Sequence, residues 1–250
     1  MIITSPSIIY HGLSHTYNRH LFGFSEILLA GSDPHLSMDI YHNTFSSPPL
    51  DPKFKTLVLI HGHGGQPCDF DFIVRYLVEN AKSTADTSYN IYVPYLGDNT
   101  TTSIEEDAST LRLRLQSQNI PMDNLILIGL SKGGLAASYF ASHFHPPLKI
   151  ITISSPMFGT QVADLHWDKN VGSVLGYMNS SLVALSHMAT SSTFYHIVPR
   201  YDHIISPVDS CFYPSTPPSN IYHYDGLHSH IGITHSSDVC DKLSSWISEP

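Results

Sequence analysis

Short, almost uninterrupted apolar runs recur along this chain, separated by helix-like patterns, and that alternation is the strongest constraint on its fold. The runs are Thr56-Leu57-Val58-Leu59-Ile60, Ile91-Tyr92-Val93, Leu125-Ile126-Leu127-Ile128 and Leu148-Lys149-Ile150-Ile151-Thr152-Ile153, followed by 194–199 and 221–224. A strand with one face in water alternates polar with apolar residues, whereas a strand apolar at every position is covered on both faces. Between the runs, 70–82, 104–118 and 135–143 read as helices, so each strand can return parallel to the one before. The expected fold is α/β, with a mostly parallel central sheet and helices on both faces. The helix from Ile104 has the clearest local signal, because Ser103 and Glu106 stand at capping-box spacing while Ile104, Ala108, Leu111 and Leu115 share one face. Upstream, 24–29 and 37–41 are expected to form one or two antiparallel edge strands.

With 250 residues, 42% of them hydrophobic, the chain can bury one sizeable core, and one domain over 1–250 is expected. The tracts Ser46-Ser47-Pro48-Pro49 and 214–218 are too short to divide it. A formal net charge of −9 leaves no basic surface for nucleic acid. Cys68, Cys211 and Cys240 lie far apart without CxxC spacing, which argues against a disulfide framework and a cysteine zinc site. The 17 histidines include no HExxH pattern, so neither a metal nor another cofactor is expected. The first residues lack the basic and apolar regions of a secretory signal, and no stretch reaches transmembrane length. The expectation is a cytoplasmic protein, or one exported without a Sec signal.

Chemistry concentrates at Gly129-Leu130-Ser131-Lys132-Gly133-Gly134. The G-x-S-x-G spacing alone is a weak signal, and a glycine-rich turn between strand and helix could equally cradle a phosphate. The context is what gives it weight: the motif follows an apolar strand and precedes the small-residue helix 135–140, as a nucleophile elbow requires. Side chains at 129 and 133 would clash in so sharp a turn, and the N–H groups opening the next helix favour negative charge near the serine.

Ile60-His61-Gly62-His63-Gly64-Gly65 resembles the HG-containing oxyanion loop of lipases and esterases of the α/β-hydrolase superfamily. The 129–134 segment resembles their elbow, and Ser154-Ser155-Pro156-Met157-Phe158-Gly159-Thr160 followed by Ala163-Asp164-Leu165 is similar to a segment of many lipases. The resemblance runs from about Leu57 onward and implies the α/β-hydrolase fold, with Ser131 as nucleophile and the backbone N–H groups of His63 and Lys132 as oxyanion donors. Lys132 departs from the Met or Gln often found there, and a cation beside the serine leaves the substrate preference open.

The superfamily's chain order Ser, acid, His puts the acid after a later strand. The turn 200–207 resembles its acid loop, making Asp202 the first candidate, with Asp209 and Asp225 in reserve and a simple turn-capping role as the alternative. After the last strand come His228, His230 and His235. His230-Ile231-Gly232-Ile233, then a polar stretch and a final helix, resembles the family's register for the base, with His228 as the alternative. Segment 160–193 stands where such hydrolases carry a lid or cap, although ordinary sheet-covering helix fits part of it equally well. The resemblance implies a serine hydrolase of carboxylic esters or thioesters acting on small-molecule or lipid acyl substrates, with transient membrane-surface contact. An acyltransferase and an inactive scaffold on the same fold are the alternatives; oligomeric state is not legible.

Overall fold

The computed structural model describes residues 27–29, 52–83, 89–97, 99–166, 174–188 and 193–249. Among the described residues seven strands form one sheet: β1 (Ile27–Leu29), β2 (Lys55–Ile60), β3 (Tyr89–Val93), β4 (Leu125–Leu130), β5 (Lys149–Ile153), β6 (Thr193–Pro199) and β7 (Ile221–Tyr224). Their spatial order is β1-β3-β2-β4-β5-β6-β7; β1 runs antiparallel to β3, and every other neighbouring pair is parallel. The helices are α1 (Asp71–Ser83), α2 (Ile104–Ser117), α3 (Lys132–His143), α4 (Gln161–His166), α5 (Ser180–Met188) and α6 (Ser237–Ser248). Of the two upstream edge segments, 24–29 contributes β1, and 37–41 lies outside the described residues.

Successive side chains of a strand point to opposite faces, and β2 shows how the sequence uses this. Leu57 and Leu59 enter the core shared with Ile73, Leu77, Leu243 and Trp246 of α1 and α6, while Val58 and Ile60 join Ala108, Leu111, Leu135 and Phe140 of α2 and α3. Each such fully buried aliphatic side chain contributes on the order of 1.5–3 kcal/mol, so both faces must be covered. Helix α2 starts where Ser103 Oγ accepts from the Glu106 N–H (3.1 Å) and the Glu106 carboxylate accepts from the Ser103 N–H (2.7 Å). Its apolar face, Ile104, Ala108, Leu111 and Leu115, is buried.

The chain leaves β2 towards β3 on one side, then crosses back to β4 on the other. This reversal opens a crevice at the carboxyl ends of β2 and β4, the place where open α/β sheets bind ligands.

One buried polar group bears on the stability of the sheet. His196 on β6 is fully buried; its Nδ1 lies 2.7 Å from Oγ1 of its β5 register partner Thr152, and its Nε2 lies 3.1 Å from Thr216 Oγ1. Burial pushes its pKa down from 6.5 to about 3, so the folded ring stays neutral where an unfolded one takes up a proton. Between those two values the unfolded state binds more protons, and stability falls as pH falls, by up to about 1.4 kcal/mol per pH unit. Urea denaturation of His196→Phe between pH 6.5 and pH 3.5 is expected to show a shallower loss of stability with acid than the parent chain; parallel curves would refute this account.

Candidate active site

The end of β4 and the start of α3 approach the end of β2 more closely than side chains allow. A Cβ on Gly133 would lie 2.1 Å from Ile60 O, and one on Gly129 would lie 2.4 Å from the Gly134 Cα. Between these glycines Ser131 holds φ 53° and ψ −125°, a conformation that costs a non-glycine residue about 1–3 kcal/mol. It is fixed by its N–H donating to Ile153 O of β5 (2.9 Å) and by its carbonyl accepting from the Gly134 N–H (3.0 Å). Gly62 faces it so closely that a Cβ there would lie 2.8 Å from the Ser131 Cβ. The Lys132 N–H opens α3 at the positive end of the helix dipole.

The loop after β6 supplies Asp202. Its Oδ1 accepts from the N–H groups of Ile204 (2.7 Å) and Ile205 (3.3 Å), leaving Oδ2 for His230 Nδ1 at 2.5 Å. Thr160 steadies the same loop, donating to Ile204 O (2.7 Å) and accepting from the Ser206 N–H (3.0 Å). With Nδ1 facing the carboxylate, His230 presents a buried Nε2 that has no hydrogen-bond partner among the described residues. A cavity of about 280 Å³ is lined by Ser131, His230, His63, His203, Ile204, Ser229 and Ile231.

The other candidates lie elsewhere. His228 is hydrogen-bonded through Nδ1 to the Tyr224 hydroxyl, and His235 stacks on Phe72 with ring centroids 5.8 Å apart. Asp225 is an exposed partner of Arg200 at 3.0 Å, and Asp209 stands exposed on the single turn Val208–Cys211.

In the loop after β2, His61 Nε2 accepts from the Leu96 N–H (3.0 Å), so its proton sits on Nδ1 and is donated to Gly62 O (3.0 Å). The buried amide of Asn99 spans the next peptide units, its Nδ2 donating to Gly62 O (3.1 Å) and its Oδ1 accepting from the Gly64 N–H (2.8 Å). The Lys132 side chain corrects the reading of a cation beside the serine. It turns away and is buried, its ammonium donating to Asn99 O (2.9 Å) and Thr102 O (2.6 Å) and pairing with Asp107 Oδ2 (2.9 Å). Three N–H donors removed from water need three acceptors; the two carbonyls and the Thr102 hydroxyl oxygen (3.2 Å) supply them, and the Asp107 carboxylate balances the charge. Burial raises the Asp107 pKa, and the neighbouring ammonium opposes that rise. Sequence reasoning missed Asn99, Thr102, Asp107 and the cavity-lining His203, because nothing in their local pattern separates them from ordinary loop and helix residues.

Among the described residues, no three His, Cys, Asp or Glu side chains converge as a metal site, and no helix is long and apolar enough to cross a membrane.

No family model and no curated protein matches this chain. Solved structures do match by fold. One is from the metagenome-derived lipolytic enzymes LipS and LipT, at 14% identity and a TM-score of 0.59, covering 90% of this chain and 97% of that one. The mature Bacillus licheniformis lipase BlEst2 matches at 16% identity and a TM-score of 0.55, covering 80% and 94%. An extracellular α/β-hydrolase from a Paenibacillus species matches at 13% and 0.53, covering 76% and 98%. The chain therefore has the α/β-hydrolase fold.

The close approach at Gly133 is open to direct measurement. Gly133→Ala is expected to lower stability by about 1–3 kcal/mol or more, since the Cβ meets backbone that cannot move alone. Gly232→Ala, where the nearest obstacle is the Ser229 hydroxyl, is expected to cost less. Equal urea midpoints for the two variants would contradict the packing described.

Proposed function

We propose that this α/β-hydrolase-fold protein is a serine hydrolase of carboxylic esters or thioesters, with Ser131 as nucleophile, His230 as base and Asp202 as the acid that orients it. The observation that carries the proposal is the pairing of His230 Nδ1 with Asp202 across 2.5 Å, with the buried Nε2 and Ser131 on one cavity. In the proposed reaction Ser131 Oγ attacks the acyl carbonyl as its proton passes to His230 Nε2. Asp202 holds the imidazole in the required tautomer and stabilises its cation. The N–H groups of His63 and Lys132 receive the oxyanion, assisted by the α3 dipole. His230 then protonates the leaving group, and water repeats the sequence on the acyl-enzyme.

Preference for an apolar acyl group is part of the proposal. Its support is that proteins of this shape include lipolytic enzymes and that Ile204 and Ile231 line the cavity. Segment 160–193 is proposed as the lid. It is tied to the acid loop through Thr160, and it exposes Tyr177, Met178 and Met188; 167–173 and 189–192 lie outside the described residues.

Ser131→Ala is expected to abolish both turnover of p-nitrophenyl esters and labelling by a fluorophosphonate while the fold persists. His230→Ala is expected to lose burst acylation and His228→Ala to retain it, and Asp202→Asn to be slower by roughly a thousandfold or more. Retained labelling of folded Ser131→Ala would falsify the nucleophile assignment, and the opposite histidine result would move the base to His228. Replacing Tyr177, Met178 and Met188 together by Ser should slow long-chain esters more than acetate esters; an equal effect at every chain length removes the lid.

A further inference from the structure

Two backbone N–H groups from separate segments of the chain can stabilise an oxyanion only if their spacing is held to a fraction of an ångström. The two residues concerned are His63, after β2, and Lys132, at the start of α3. Asn99 touches both. Its side-chain amide brackets His63, donating to the carbonyl of the residue before it and accepting from the N–H of the residue after it. That pattern fixes the amide orientation, because the Gly64 N–H can be answered only by an oxygen. The backbone carbonyl of Asn99 accepts from the Lys132 ammonium. The ammonium also donates to the carbonyl and the hydroxyl oxygen of Thr102 and forms an ion pair with Asp107, whose carboxylate accepts from the Thr102 hydroxyl. Asn99 is fully buried, and Lys132 and Asp107 are 1% and 2% exposed, so these three side chains are shielded from water.

We propose that Asn99 and the Lys132 side chain are positioning residues that hold the His63 and Lys132 N–H groups at the spacing an oxyanion requires, with Asp107 and Thr102 anchoring the assembly to α2. This rests on the hydrolase reading above. Neither side chain touches substrate; both act through the backbone. An interaction that sharpens only transition-state binding alters kcat and leaves KM nearly unchanged, whereas loosened packing lowers stability or affects both constants.

The test compares Asn99→Ala, Asn99→Asp and the paired substitution Lys132→Met with Asp107→Asn, which removes the buried charges together. Each is assayed for kcat and KM on p-nitrophenyl butyrate, for thermal midpoint, and for backbone deuterium exchange across 61–66. Asn99→Ala and the paired variant are each expected to lose roughly tenfold to a hundredfold in kcat, with KM within about twofold. Exchange at 62–65 should be faster than in the parent chain. Combining the two changes should cost little more than either alone, since both release the same donors. If Asn99→Ala does not fold, Asn99→Asp, of equal size but without the donor to Gly62 O, carries the same expectation. A folded variant with unchanged kcat, or unchanged exchange at 62–65, overturns the proposal. A parent chain that neither hydrolyses esters nor reacts with a fluorophosphonate refutes the hydrolase reading alone, and exchange at 62–65 then decides on the positioning role.

Discussion

The start of α3 rests directly on the end of β2, at a point where position 133 has no room for a side chain. The rest of the site depends on that contact. It brings the loop after β2 against the turn after β4, so that Gly62 faces Ser131 and the first N–H groups of α3 face the same space. It also supports the strain at Ser131: a serine at positive φ persists only where the surroundings leave no relaxed alternative. Here both backbone groups of Ser131 are committed, one to β5 and one to α3.

A buried ion pair sits behind that contact, and its role differs from that of the apolar core. Desolvation consumes most of the Coulombic gain of such a pair, so Lys132 and Asp107 are a poor source of net stability. What they supply is direction. An ammonium ties acceptors of a loop to a carboxylate on a helix, which a methionine filling the same volume would leave free to drift. Removing one partner alone would strand the other charge in the interior at about 3–5 kcal/mol.

Much of this was legible in the sequence where the signal is local. β2, β4 and β5 are buried on both faces and read as apolar runs; the α2 cap is a four-residue pattern; the elbow is recognisable because strand, glycines and helix are consecutive. Legibility ends where geometry depends on residues far apart. Lys132 was read as a charge beside the serine because a sequence gives the identity of a long side chain but not its direction, and its acceptors lie some thirty residues earlier. His228 and His230 differ by two positions, and the path of a short loop sends one to Tyr224 and the other to Asp202. Helix α3 begins at Lys132 rather than Leu135, because packing against β2 overrides the poor helix propensity of Gly133 and Gly134. His196 hides inside an apolar run, its two threonine partners visible only once the strands are paired.

The sheet also separates the proposed machinery in time. Ser131 and the loop after β2 belong to its centre, whereas Asp202 and His230 leave from β6 and β7 at one edge, where the Arg200 N–H bonds Tyr224 O to link the two loops. A ribosome delivers the elbow at 129–134 before the acid loop at 200–207 and before His230, so the residues proposed to activate the serine come from segments translated after it. In the proposed mechanism the base hangs on the loop that follows a single four-residue edge strand, the last of the described strands to be translated.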